Sequence, residues 1–311
     1  SHHNLLLHKS CLPLCDTSSQ QFPVNVEWPV MQTDTEEFGE KLSLPDPWQR
    51  QALGYLREGR DVVLHAPTGA GKTFVFELLV ESGWRGRAVY TVPTRALAND
   101  KFREWRDRGW EVGLVTGDVR HKPKARVVVA TLETQRASML RGEGSDLFVV
   151  DEYQLLGDAQ RGPGYEVTLA TAPAGTQLLL MSGSVANPAE VADWLVVGGR
   201  EVELVSEGTR PVPLDEVFSE SLVKHSREDH GIRGYWPRLV AKALDVRLGP
   251  ILLFAPLRAA SEELARQLAA ELPVVEPLDL TSEQKRIVGK ELAGLLKKRV
   301  AYHHSGLDYL R

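Results

Sequence analysis

The run Ala66-Pro67-Thr68-Gly69-Ala70-Gly71-Lys72-Thr73 has the residue types that can hold a polyphosphate. Its glycines let backbone N–H groups curl around phosphate oxygens without a Cβ in the way. Lys72 supplies a mobile charge for the terminal phosphates, and the Thr73 hydroxyl can ligate Mg²⁺. Ala66 stands where the strict phosphate-loop pattern has glycine. A second centre lies at Asp151-Glu152-Tyr153-Gln154. Asp151 would hold Mg²⁺, directly or through water, and Glu152 would orient the attacking water and take its proton. An isolated Asp-Glu pair could equally be a solvated turn, because carboxylates normally stay exposed. The phosphate loop upstream weighs against that reading.

Both centres need elements that bring them to one rim. Asp61-Val62-Val63-Leu64-His65 reads as a buried strand before the loop, and Phe74–Val80 as a helix after it. That helix would point its positive end at the phosphates. Leu147-Phe148-Val149-Val150 reads as a strand ending in the acidic pair. In an open α/β sheet ligands sit at the carboxyl ends of the strands. From Asp61 the pattern alternates, predicting strands at 61–66, 87–92, 111–116, 126–131, 146–151 and 177–182. Helices are predicted at 46–58, 72–82, 95–108, 132–140, 164–172 and 188–196. The expected fold class is α/β, a doubly wound parallel sheet. Gly198-Gly199 and the stretch on through Gly208 to Pro213 break the pattern and predict a hinge near there. A second α/β unit should follow, with helix 235–247, strand 251–255 and helix 260–271.

Read in order, these segments resemble the motifs of superfamily 2 DExH helicases, in particular the Ski-like branch. Pro47-Trp48-Gln49-Arg50-Gln51 is similar to the segment that reads adenine, which implies that Gln49 is the reader. Ala66–Thr73 stands at motif I and Asp151–Gln154 at motif II. Val92-Pro93-Thr94-Arg95-Ala96-Leu97 resembles motif Ia, which grips a nucleic-acid backbone, and Thr131-Leu132-Glu133 stands where a further strand contact is expected. Arg161-Gly162-Pro163-Gly164-Tyr165-Glu166 resembles the segment that follows motif II in this branch, which implies a nucleic-acid contact by Arg161. Ser182-Gly183-Ser184 falls at motif III, which couples hydrolysis to strand binding. Ile251–Pro256 looks like motif IV, and Val300–Leu307 is similar to the strand-contacting segment of the second motor domain. One of His303 and His304 would face the nucleic acid and the other pack.

The resemblance implies two tandem RecA-like P-loop motor domains. An arm at 1–43 precedes the first, at 44–206, and 207–311 would hold the linker and part of the second. It also implies ATP as substrate, Mg²⁺ as cofactor and a single-stranded or partly duplex nucleic acid as partner. Three departures stand out. Gln154 replaces the usual His, and Ser182-Gly183-Ser184 replaces Ser-Ala-Thr. Gln and Ser still hydrogen-bond, so the ATPase should survive. The likeness also stops before motifs V and VI, whose arginines complete the ATP site. The chain would then be a fragment or be completed from elsewhere.

Composition fits a globular protein: 42% hydrophobic and 25% charged residues. No apolar run long enough to span a membrane occurs, and the Leu5-Leu6-Leu7 start is too short for a secretory signal. Two cysteines fit a reducing compartment, cytoplasmic or nuclear. Cys11 and Cys15 with His2, His3 and His8 do not close a zinc site and read as reduced thiols. The net charge of −5 gives no global nucleic-acid signature, yet residues 85–126 carry eleven Lys/Arg against five acids. Phosphate contacts dominate non-specific affinity, so that basic stretch suits a strand-binding face. Lys101–Arg108 could instead be the solvated face of a helix. Lys297-Lys298-Arg299 closes a helix, complementing its negative end. The function read from these features is an ATP-dependent helicase or translocase. A nucleotide-dependent scaffold of the same fold, and more distantly a small-molecule P-loop kinase, are the competing classes.

Overall fold

The computed structural model describes residues 4–7, 45–212, 214–218, 231–274, 276–304 and 307. The chain divides into two compact units, residues 15–211 and residues 1–14 with 212–311.

The first unit is built on an eight-stranded sheet. Helix α1 (Pro47–Arg57) starts on a proline that cannot donate a backbone hydrogen bond, where none is needed. Strand β2 (Asp61–His65) leads through the phosphate loop into α2 (Lys72–Glu81). There follow β3 (Ala88–Val92), α3 (Arg95–Asp107), β4 (Val112–Val115), β5 (Arg120–His121), β6 (Val127–Thr131) and α4 (Leu132–Leu140). Next come β7 (Leu147–Asp151), a 3₁₀ turn (Tyr153–Gly157), α5 (Gly162–Ala170), β8 (Gln177–Ser182), α6 (Pro188–Val197) and β9 (Val202–Ser206). Across the sheet the order is β5-β4-β6-β3-β7-β8-β2-β9, parallel except for the β4–β5 pair.

The strands are apolar on both faces because helices cover both. One core joins Val62, Leu64, Tyr90 and Val129 to Trp48, Phe76, Leu79 and Trp105 from α1, α2 and α3. The other joins Val63, Val89, Phe148 and Val150 to Met139, Leu169 and Leu195 from α4, α5 and α6. This is the doubly wound RecA-like P-loop architecture, and the six predicted strands and six predicted helices of this unit are present with ends shifted by a residue or two. β9 was not predicted: it lies inside the stretch read as a hinge and pairs in parallel with β2.

In the second unit, β1 (Asn4–Leu7) pairs antiparallel with β10 (Asp215–Phe218). Helices α7 (Tyr235–Asp245), α8 (Arg258–Glu271) and α9 (Ser282–Lys297) follow. Ala265 and Ala269 of α8 pack on Leu292 and Leu295 of α9. The Thr281 hydroxyl accepts from Gln284 N, and the Gln284 side chain accepts from Thr281 N, so both amides at the start of α9 are paired. The predicted strand 251–255 is not formed. Its Leu252 is 69% and its Phe254 82% exposed, and an apolar run becomes a strand only when a neighbour pairs its backbone. As predicted, the basic run closes its helix: Lys297 lies in the last turn of α9 and Lys298 is its C-cap, and the Lys298 side chain also donates to Ala269 O near the end of α8 (2.7 Å). Of the predicted arm 1–43, only residues 4–7 are described. Cys11, Cys15, His2, His3 and His8 lie outside the described residues.

Candidate nucleotide and strand site

Sheet register brings the two predicted centres together. β8 lies between β2 and β7, with His65 opposite Ser182 and Met181 opposite Asp151. The phosphate loop, Ser182 and the acidic pair therefore share the carboxyl rim of three adjacent strands. Ala66 N donates to Ser182 O (3.1 Å), tying the loop to β8. Gly69 and Gly71 hold φ values of 83° and 86°, the left-handed region that side chains resist. The Lys72 ammonium donates to Ala66 O (2.9 Å) and Pro67 O (3.2 Å), within the loop. Burial lowers its pKa, opposed by the nearby charges of Glu152 and Asp151. Pro67 is buried, Ala70 half-buried, and Thr68 and Gly69 exposed.

Asp151 closes β7 with its carboxylate largely withdrawn from water. Burial, then the neighbouring Glu152 charge, raise its pKa from 3.8 to about 6, opposed by a hydrogen bond from Tyr90 and by Lys72 and Lys101. Tyr90 OH donates to Asp151 Oδ2 at 3.0 Å and lies 3.4 Å from Thr73 Oγ1. Thr73 and Asp151 thus meet at one hydroxyl. Hard oxygen donors beside an under-compensated carboxylate fit a magnesium ion. Among the described residues no cluster of three His, Cys, Asp or Glu offers another metal site.

Glu152 adopts φ 61°, ψ 53°, a left-handed backbone costly for a non-glycine residue and concentrated at functional sites. Its Oε2 accepts from Gln154 Nε2 (2.7 Å), and Gln154 Oε1 accepts from Ser182 Oγ (2.6 Å). Ser184 N in turn donates to Ser182 Oγ (3.2 Å). Gln154 therefore bridges Glu152 to Ser182 at the end of β8 through an amide that can donate and accept at once. The glycine at 183 also has a local reason: a Cβ there would stand 2.6 Å from Ala66 O and 3.0 Å from Lys72 Nζ.

Gln49 is buried, with its amide engaged inside the chain. Its Oε1 accepts from Asp46 N (2.8 Å), and its Nε2 donates to Gly71 O (3.2 Å) and Ala70 O (3.4 Å). It braces the phosphate loop.

The family pattern described as DEAD/DEAH box helicase matches residues 46–191, spanning both centres. The chain carries a DEAD/DEAH box helicase domain. Superkiller complex protein 2 of Homo sapiens is 30% identical over 77% of this chain and 21% of its own length. The ATP-dependent DNA helicase Hel308 of Pyrococcus abyssi is 34% identical over 84% of this chain and 39% of its own. The Arabidopsis thaliana chloroplastic DExH-box ATP-dependent RNA helicase DExH15 is 37% identical over 58% of this chain and 16% of its own. The chain thus spans well under half the length of these relatives. In fold, it is similar to the DUF1998 helicase MrfA bound to DNA and AMPPNP, with TM-score 0.53 and 17% identity over 81% of this chain and 40% of that one.

Within the helicase domain, the predicted strand contacts lie at the carboxyl ends of β3 and β6, paired neighbours. Thr94 accepts from Leu97 N and starts α3. Arg95 is exposed, lies over Gly117, and pairs at 3.5 Å with an equally exposed Asp118. The Thr116 hydroxyl, then Arg95, hold the Asp118 carboxyl below its ordinary range. Thr131 is buried at the end of β6. Arg161 differs from Arg95. Its Nε and Nη2 donate to Glu133 Oε1 (2.9 and 2.7 Å), and Nη2 also reaches Pro93 O (2.9 Å) and Tyr165 OH (3.3 Å). It joins the β3 and β6 rims to the start of α5. Lys101 and Arg108 are ion-paired with Glu104 and Glu77, so part of the basic stretch is spent inside the fold.

In the second unit His304 Nε2 lies 2.9 Å from Glu262 Oε1, and its ring stacks on Tyr302. His303 is exposed. Ser305 and Gly306 lie outside the described residues. Sequence reasoning missed Tyr90, Asp118 and the bracing role of Gln49. All three act across strands or loops, and their local sequence carries no sign of it.

Proposed function

We propose that this chain is the ATP-hydrolysing part of a helicase or translocase that moves along single-stranded or partly duplex nucleic acid. The observation that carries this is the hydrogen-bonded path Glu152–Gln154–Ser182–Ser184 joining the hydrolytic carboxylate to the end of β8. In this reading the phosphate-loop amides and Lys72 hold the triphosphate. Thr73 and Asp151 hold Mg²⁺, which when bound neutralises charge on the phosphates. Glu152 orients a water molecule and accepts its proton as the oxygen attacks the terminal phosphorus, giving ADP and phosphate. Arg95, with the exposed Thr94, contacts the strand backbone, where contacts carry affinity rather than sequence choice. Among the described residues no helix is long and apolar enough to cross a membrane, and we assign the work to a reducing, cytoplasmic or nuclear compartment. The relatives include helicases named for DNA and for RNA, and backbone contacts of this kind serve either. The test is ATP turnover with and without single-stranded DNA and RNA. Strand-stimulated turnover supports the motor. Nucleotide binding with turnover indifferent to any strand supports the scaffold reading instead.

A further inference from the structure

We infer that Tyr90 is a positioning residue of the metal–nucleotide site, because its buried hydroxyl lies between Thr73 Oγ1 and Asp151 Oδ2. Tyr90 is 0% exposed, at the third position of β3. A buried hydroxyl costs stability unless it is hydrogen-bonded, and this one has two partners, both drawn from the donor set proposed for magnesium. A phenol has one hydrogen to give. It goes to Asp151 Oδ2 at 3.0 Å. The 3.4 Å contact with Thr73 must then be donated by the threonine. That single choice fixes both donors. The Thr73 hydrogen points at Tyr90, which leaves the threonine lone pairs for a cation. Asp151 has one oxygen occupied and oriented, and the other is left to ligate.

The ring cannot swing away from this arrangement. Phe76 packs on it at 5.1 Å between centroids, and Trp105 meets it edge-on at 4.9 Å. Trp105 is itself pinned, its Nε1 donating to the buried Glu77 Oε1 at 2.9 Å. Tyr90 reaches Asp151 because β3 pairs directly with β7, placing Tyr90 opposite Val149, two residues before the carboxylate. Partners that orient a metal's ligands matter as much as this geometry suggests: removing one typically costs about 10–100-fold in metal affinity.

The inference rests on the reading of Thr73 and Asp151 as the magnesium donors, and the experiment separates the two. A fluorescent ATP analogue is titrated against the full chain and against Tyr90→Phe, in excess Mg²⁺ and in EDTA. Mg²⁺ half-saturation is measured at fixed nucleotide. Phenylalanine keeps the ring and its packing. The expected result is unchanged affinity in EDTA, with the Mg²⁺ half-saturation raised about 10-fold or more. Equal weakening in both arms would make Tyr90 a packing residue only, and no change in either would make its hydroxyl idle. Either outcome overturns the inference. A wild type whose nucleotide binding ignores Mg²⁺ would overturn the metal reading beneath it. Should Tyr90→Phe fail to fold, difluorotyrosine at position 90 keeps the shape and strengthens the donor. A Mg²⁺ half-saturation that it does not move would equally overturn the inference.

Discussion

Asp151 should destabilise the nucleotide-free protein at neutral pH, and Asp151→Asn should relieve the cost. Its pKa rises from 3.8 to about 6, first through burial and then through the adjacent Glu152. A carboxyl raised on folding is one whose ionised form the fold disfavours. Each pKa step of one is worth about 1.4 kcal/mol, so the ionised carboxylate costs the empty fold about 3 kcal/mol. That cost is fully present above the folded value of about 6 and has vanished below 3.8. Asparagine is nearly isosteric, neutral throughout, and still accepts from the Tyr90 hydroxyl. Asp151→Asn should therefore unfold at higher urea than wild type at about pH 8, by up to about 3 kcal/mol. The gap should close as pH falls through 6 towards 4. Saturating Mg²⁺ and nucleotide should stabilise the wild type more than the variant. The assay is equilibrium urea unfolding followed by tryptophan fluorescence, since Trp48 and Trp105 are buried in this unit. A variant no more stable than wild type at neutral pH would refute the reasoning. So would a gap that persists unchanged at acid pH.

Other perturbations separate the roles further. Glu152→Gln should retain nucleotide binding and lose about 10²–10⁴-fold in single-turnover hydrolysis, because the amide cannot take the proton; turnover equal to wild type would remove Glu152 from that role. Arg95→Ala should weaken strand binding about equally for unrelated sequences and flatten the salt dependence by about one unit. Arg161→Ala should weaken binding with the salt slope intact, because its guanidinium is spent on Glu133 and Pro93 O; a flattened slope would make it a phosphate contact instead. Arg200→Ala should destabilise the first unit by about 3–5 kcal/mol, since it strands Asp61, which Arg200 pairs while also donating to Thr176 O. Nucleotide affinity should survive that change, because Asp61 lies at the opposite end of β2 from the loop; lost affinity in a folded variant would show that the two ends are coupled.

The first unit was legible from its sequence because its signals are local. Asp61–His65 and Leu147–Val150 are continuous apolar runs, as strands covered on both faces must be. Gly69 and Gly71 sit where only a left-handed backbone can turn around a phosphate. The acidic pair follows its strand directly, so finding the strand finds the site. Long-range pairing decided the rest. Val202-Glu203-Leu204-Val205-Ser206 is short, lacks strict alternation, follows a glycine pair and reads as part of a broken pattern; it becomes β9 because β2 offers an edge. Ile251–Ala255 is apolar enough for a strand yet stays unpaired, since composition supplies no neighbour. Gln49 and Arg161 were read as ligand contacts; that they also hydrogen-bond Gly71 and Glu133 is decided by the tertiary structure. Tyr90 falls within the segment predicted as strand 87–92, with nothing local to mark its hydroxyl. The order of strands, with β3 beside β7, turns its hydroxyl into a neighbour of Asp151 and Thr73, because strand order sets which distant side chains meet and no local spacing encodes it.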